Sequence, residues 1–400
     1  MKKIVVVGSG FGGLSIASKL KAKKFDVTLI EKHKDLGGRA RTFVHNDFKY
    51  DAGPTVITAP YLIDELFSAH GEKLSDYVNL LPVKPWYRFL FDSGDYIDYG
   101  DKLISTVHEI KAKYGNDKAK AYLKLLKHSK QIFKKGFIEL SDEPFESIYS
   151  MLKHLPALIK IRFDRSVYQT VNKYLNNKNL NEALSMHPLL VGGNPYSTTS
   201  IYLLIQYLEW KWGVYYAEGG TGRIIDGLEK LLIKKDVNIK KNTEAKKIIL
   251  KNNKVVGIDT SQGIIDCDIV VCNSDPTYTY NNLLGFKPKK ASNRFNLKHS
   301  MSLFVLYFST TKIYKDVKHH TIIFSKRHYE LLNDIFNKKV FVSDPSLYLH
   351  RPGATDPSMI QNGNDTFYVL APVPNNLSKI DWNDKGNKLA NIIIKNLQEK

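Results

Sequence analysis

Apolar residues in the first thirty positions fall into two dense runs separated by a looser stretch. Lys2 to Val7, with Ile4-Val5-Val6-Val7 at its centre, is short and β-branched, the pattern of a buried strand. It stops at Gly8. From Leu14 to Lys21 the spacing lengthens, so that Leu14, Ala17 and Leu20 share one helical face. Phe25 to Ile30 is a second strand, and Glu31 ends it. Helical periodicity returns over 61–75, over 101–135 and over Ile224–Lys235, where Ile225, Leu228, Leu231 and Leu232 lie on one side. Val237–Ile239, Ala245–Leu250, Val255–Asp259 and Ile269–Asn273 read as strands, and 298–380 as mixed strands and helices. The alternation of strand and helix predicts an α/β fold, and 400 residues predict two or three packed units.

Between the first strand and the first helix stands Gly8-Ser9-Gly10-Phe11-Gly12-Gly13, a G-x-G-x-x-G with an acid, Glu31, 23 residues after Gly8. Strand, glycine turn, helix, strand and acid together are the signature of dinucleotide binding. Gly8 permits the tight turn, Gly10 lets backbone approach a pyrophosphate, and Gly13 lets the helix sit close to the strand. The helix end offers free N–H groups and a positive dipole end to phosphates. Glu31 can accept hydrogen bonds from both hydroxyls of a ribose, and its charge would repel a 2′-phosphate, which disfavours NADP. Two further glycine turns follow. Gly37-Gly38-Arg39 adds flexible backbone and a guanidinium, and Ala52-Gly53-Pro54-Thr55 adds another close-approach turn, as a long folded cofactor requires.

The blocks Gly8–Gly13, Glu31, Gly37-Gly38-Arg39-Ala40 and Tyr50-Asp51-Ala52-Gly53-Pro54-Thr55-Val56 resemble the FAD-binding start of the flavin amine oxidase superfamily. Later blocks narrow the resemblance to the bacterial-type phytoene desaturases of carotenoid synthesis. They are His187–Pro195, Trp212–Gly222, Ser302–Phe308, His319–Ile322, Ser346–Pro352 and Tyr368–Pro374. The resemblance implies a Rossmann-like FAD domain of the GR2 type from 1–75 and 216–290. It implies an inserted mixed α+β substrate and membrane-associating domain from 76–215 and 291–400. FAD contacts are implied at Gly8, Ser9, Gly10, Phe11, Gly12, Gly13, Glu31, Lys32, Gly38, Arg39, Ala40, Gly53, Pro54 and Thr55. Ala245, beside the adenine, and Asp275, at a strand end beside the cofactor, are further implied contacts. Arg165 matches a family position that orients the polyene or assists deprotonation; a guanidinium stays protonated, so the neighbouring Asp164 is the expected base. Family members continue to a Gly-rich segment that closes over the flavin, whereas this chain stops at Lys400, so it is read as C-terminally truncated.

The activity implied is FAD-dependent desaturation of phytoene or a related C30 or C40 polyene, with quinone or oxygen reoxidising the flavin. Removing hydrogen from an unactivated C–C bond offers no polar handle, so the cofactor carries the hard step while the protein supplies an apolar tunnel and fixed geometry. The aromatic run Phe304–Phe308 suits such a lining. A saturase, isomerase or oxidase of the same superfamily would use the same cofactor residues. A prenyl-binding escort protein without flavin, or an inactive fragment, are the non-enzymatic alternatives.

Charge changes this picture little. The formal net charge of +19 comes from 50 Lys and only nine Arg, whereas base readout favours Arg, so no nucleic-acid partner is expected. Ten Lys fall within 101–135, interleaved with Tyr122, Leu125, Leu126, Ile132 and Phe133. That stretch is either a solvated helix packed by its apolar stripe or a surface set against an anionic bilayer. The apolar segment Met151–Ile161 is either a lipid-dipping element or a cap over the substrate domain. No stretch reaches 18 consecutive apolar residues. Cys267 and Cys272 read as buried thiols, and a cytoplasmic, peripherally membrane-bound protein is expected. No metal site is expected: His187, His319 and His320 show no ligand spacing and read as structural.

Overall fold

The structure, a computed structural model, describes residues 1–139, 155–156, 158–159, 161–285 and 299–400. Two compact units emerge, Met1–Leu81 with Tyr215–Leu297, and Pro82–Val214 with Lys298–Lys400.

The first unit is built on four parallel strands in the order Ile269–Cys272, Lys3–Val7, Asp26–Ile30, Asn238–Lys240. Val7 therefore has Ile30 on one side and Cys272 on the other, which puts three strand ends together beside Gly8. Helix Phe11–Ala22 buries Leu14 and Ala17 and leaves Leu20 half-buried. Helix Gly222–Lys234 buries Ile224, Ile225, Leu228, Leu231 and Leu232 in the same apolar cluster as Val6, Leu14 and Leu29. Two expected strands join a different sheet. Ala245–Lys251 and Lys254–Thr260 pair antiparallel, with Gly263–Asp266 added outside. The cause is local: Asn252 and Asn253, both at positive φ (52° and 59°), close a two-residue hairpin whose twist suits antiparallel pairing.

The second unit carries a six-stranded sheet in the order Ser302–Thr310, Asp365–Val373, Leu347–His350, His320–Ile323, Tyr87–Leu90, Tyr96–Tyr99. Helix Trp382–Gln398 packs Leu389 and Ile393 into one cluster with Val369, Ala371 and Leu349. Phe304 stacks on Trp382 and Phe308 on Phe367, so these two aromatics of the expected tunnel lining sit in core packing. The basic helical stretch is two helices, Leu103–Tyr114 and Asn116–Phe133, separated by Gly115 at φ 88°, a conformation that ends a helix. Tyr122, Leu125, Leu126, Ile132 and Phe133 are buried along the second helix, while Lys120, Lys124 and Lys127 face solvent. Most of Met151–Ile161 lies outside the described residues. Among the described residues no helix is long and apolar enough to cross a membrane.

Candidate functional site

The opening strand delivers Gly8 at φ 90°, and Gly10 caps helix Phe11–Ala22 without any side-chain hydrogen bond to its first-turn amides. Those amides are therefore available to an anion. Gly13 has no room for a side chain, since a Cβ there would lie on the carbonyl oxygen of Gly8. The second glycine turn packs directly on the first. Gly37 donates its N–H to the Ser9 carbonyl at 3.0 Å and pairs with Gly10 as a parallel bridge, while a Cβ on Gly38 would stand 3.4 Å from the Gly10 Cα. Arg39 follows, exposed, in the short turn Gly38–Ala40. The third turn packs on the second, because Gly53 approaches the Arg39 carbonyl so closely that a Cβ would overlap it. Three turns distant in sequence thus form one backbone surface. A Cβ at Gly13 or Gly53 would force these turns apart, and their close packing leaves the bare backbone surface that a pyrophosphate fits.

Glu31 closes the second strand, buried. Its Oε2 accepts from the Ser9 N–H at 3.0 Å and the Ser9 hydroxyl at 2.6 Å, and its Oε1 accepts from the His33 N–H at 3.0 Å. Burial pushes this carboxyl up, but the hydrogen bonds from Ser9 and His33 outweigh it and hold the group below its ordinary range. The carboxylate is ionised at neutral pH with acceptor sites to spare. Lys32 beside it is exposed.

A buried carboxylate ties the third turn to a later glycine turn. Asp51 accepts from Thr42 Oγ1 (3.0 Å), Tyr216 OH (2.7 Å) and the Thr221 N–H (2.7 Å), and Thr221 Oγ1 donates to the Pro54 carbonyl at 2.9 Å. Thr55 is also buried. Sequence reasoning quoted Asp51 within a block without assigning it this anchoring task. Asn273 was likewise implied only as part of the strand end beside the cofactor, with no task of its own. That residue donates its N–H to the Val7 carbonyl at 2.9 Å, and its side chain lies where a Cβ on Gly10 or Gly12 would go. The signal was its position at the end of the strand beside the first. Asp275, two residues on, is exposed and caps the turn Pro276–Tyr278 by accepting from the Thr277 and Tyr278 N–H groups. Ala245 is buried at the start of its antiparallel strand. A cleft of about 300 Å³ opens in this unit, lined by Leu36, Arg41, Thr42, Gly222 and Arg223 among others. It includes none of Gly8–Gly13, so the cradle is defined by the packed turns and not by enclosed volume.

Asp164 and Arg165 lie in the second unit. Asp164 is half exposed and takes a two-point hydrogen bond from Arg162 at 2.9 and 2.8 Å. That guanidinium holds the carboxyl below its ordinary range. The Arg165 carbonyl accepts from the Ser200 N–H at 2.8 Å, next to the capping box of Ser166 and Gln169 that starts helix Val167–Leu175. His187 is buried with its Nε2 3.1 Å from Glu209 Oε2, and Tyr87 donates to the other Glu209 oxygen at 2.8 Å. His319 and His320 are buried beside a third histidine, His350.

Set against known proteins, the chain matches the family described as flavin containing amine oxidoreductase over residues 11–335. It is 40% identical over 405 residues to a phytoene desaturase (lycopene-forming) of Pseudescherichia vulneris, covering all of this chain and 82% of that protein. Identity to the corresponding desaturase of Pantoea ananas is 39% over 404 residues, again all of this chain and 82% of the other. Among solved structures, an oxidoreductase from Methanosarcina mazei superimposes with a TM-score of 0.64 at 15% identity, over 99% of this chain and 84% of that one, which speaks to the fold alone. The chain belongs to the flavin-containing amine oxidoreductases and, within them, to the phytoene desaturase group. Its class is therefore that of an FAD-dependent oxidoreductase acting on CH–CH bonds.

Proposed function

We propose that this chain introduces double bonds into phytoene or a related C30 or C40 polyene. FAD would be held by the backbone of Gly8, Ser9, Gly10, Phe11, Gly12 and Gly13 at the pyrophosphate and by Glu31 at the adenosine ribose. Lys32, Gly38, Arg39, Ala40, Gly53, Pro54 and Thr55 line the continuing path, with Ala245 and Asp275 as outer contacts. The carrying observation is the 40% identity to a desaturase, over all of this chain and 82% of that protein, joined to a cradle of three packed glycine turns. In the overall change one C–H bond gives up a hydride, the neighbouring C–H bond a proton, and the two carbons form the alkene. Bound FAD supplies the hydride acceptor, and quinone or oxygen takes the electrons onward. What the chain itself does is hold and orient: first-turn amides against phosphate charge, and an ionised Glu31 against sugar hydroxyls. Asp164 and Arg165 fit this scheme best as supports of their own turn, since an exposed carboxylate with a lowered pKa is a poor proton acceptor at neutral pH.

Incubating the purified protein with phytoene and FAD tests the reading. New visible absorbance supports desaturation. Loss of conjugation from a coloured substrate would mark a saturase, and a colourless protein that takes up no flavin would mark an escort-like carrier.

The same reading places the protein at the cytoplasmic face of a membrane, where its substrate dissolves. The exposed Lys120, Lys124 and Lys127, with Ile104 and Leu123 also exposed, support contact with anionic lipid. Binding to anionic liposomes should be strong at low salt and weak at high salt; equal partitioning at both would remove the electrostatic part.

A further inference from the structure

Three imidazoles converge inside the six-stranded sheet. His320 and His350 are direct cross-strand partners, so their side chains share one face. His319 comes in from the residue before the strand, where its carbonyl accepts the Arg351 N–H at 2.9 Å. All three are buried, at 2%, 0% and 1% exposure, and one ring nitrogen from each lies within 4.8 Å of the other two. Spacing along the chain could not show this, because His350 is thirty residues from His320 and arrives only through strand pairing.

We propose that His319, His320 and His350 form a binding site for a transition-metal ion of the zinc class, held by one nitrogen from each imidazole. Two of the rings are already oriented as ligands are. His319 Nδ1 lies 2.7 Å from Thr355 Oγ1, and His320 Nδ1 lies 2.6 Å from the Tyr348 hydroxyl. With Nδ1–H donating to a hydroxyl, Nε2 carries the lone pair, the arrangement that outer hydrogen bonds impose on metal-binding histidines. His320 Nε2 is buried and makes no hydrogen bond. The Arg351 guanidinium, next in sequence to His350, is paired with Asp365 at 2.6 Å. Tetrahedral nitrogen ligands at about 2.0–2.1 Å from zinc stand about 3.3 Å apart. The rings must close in by rotation about their own side-chain bonds. Imidazole ligands suit zinc, copper and nickel and exclude magnesium or calcium.

The test is metal content of the purified full chain. The protein is dialysed against a chelator, exposed to Zn²⁺, desalted and analysed by mass spectrometry. About one zinc per chain is expected for the wild type, and less than a tenth of that for His320→Gln and His350→Gln. Should those variants fail to fold, Thr355→Val keeps the question open to measurement: it removes the hydroxyl that orients His319 and should weaken zinc binding by about 10–100-fold. Co²⁺ loading should add d–d bands at wavelengths beyond flavin absorption, as four-coordinate cobalt does. A wild-type chain that retains less than a tenth of an equivalent, variants that retain as much as wild type, or cobalt without such bands would each overturn the site. The histidines would then be an aromatic cluster only, packed as His350 is on Tyr368 at 4.5 Å.

Discussion

The two units solve opposite problems. In the first, polar chemistry is done by backbone. Glycines strip side chains away from a helix end, Glu31 stays charged because Ser9 and His33 donate to it, and the buried Asp51 serves to pin the glycine turns together. In the second, polar chemistry is done by buried side chains held in networks. Tyr87 and His187 meet on Glu209, Trp210 Nε1 donates to both Tyr99 and Tyr122 hydroxyls, and three histidines cluster on one sheet. A backbone site needs absence of bulk and tolerates little addition. A buried side-chain network needs every member present, because each partner left alone keeps its desolvation cost. The two units should therefore break in different ways: the first by losing its ligand, the second by losing stability.

The sharpest break is Gly13→Val. A side chain there must displace the Gly8 carbonyl, so flavin affinity should fall by at least about 100-fold, roughly 2.7 kcal/mol. Flavin absorbance after reconstitution reads this, and unchanged affinity would dismiss the cradle. Next is Glu209→Ala, which leaves the Tyr87 hydroxyl and His187 Nε2 buried without their acceptor. A loss of about 3 kcal/mol is expected from urea unfolding, with flavin affinity of the folded protein unchanged.

Acid should expose the second unit selectively. Burial lowers His319 and His320 well below their ordinary value and brings His328 down to about 4. In the unfolded chain each protonates near pH 6.5. Their contribution is thus complete above about 6.5 and falls away as pH drops below it, the His328 share, about 3 kcal/mol, being lost by about pH 4. Glu182 opposes them. Burial raises its carboxyl to about 7, so it favours the fold at low pH and costs stability as pH rises through 7. Glu182→Gln should therefore stabilise the protein by about 1–2 kcal/mol at pH 8 and steepen the acid loss. Urea midpoints at pH 8, 6.5 and 5 decide it; an unchanged slope in the variant would dismiss the opposition. The smallest effect is expected of Asp164→Asn. A half-exposed ion pair with Arg162 contributes little, and turnover should stay within about twofold of wild type. A tenfold fall in kcat would return Asp164 to the chemistry.

Much of the first unit was written in consecutive residues. Lys2–Val7, Gly8–Gly13 and Glu31 are contiguous or nearly so, and each obeys a local rule of strand period, glycine turn or helix spacing. The strand Ile269–Cys272 was legible as an apolar run, while its pairing with the first strand and the position of the Asn273 side chain over the glycine turn came from the fold. Gly115 was visible in the sequence, yet periodicity ran through it, because both helices keep an apolar face and only the backbone at φ 88° separates them.

Local order determined the dinucleotide turn, its ribose acid and the helix that carries its phosphate end, because backbone conformation follows from neighbours a few residues away. Register and long-range pairing decided the rest: Asp51 on Tyr216 and Thr221, and His350 beside His320. Those partners stand thirty to about 170 residues apart. The physical reason is that a buried polar group is satisfied by whatever the folded chain brings within about 3 Å, and sequence distance carries no information about that.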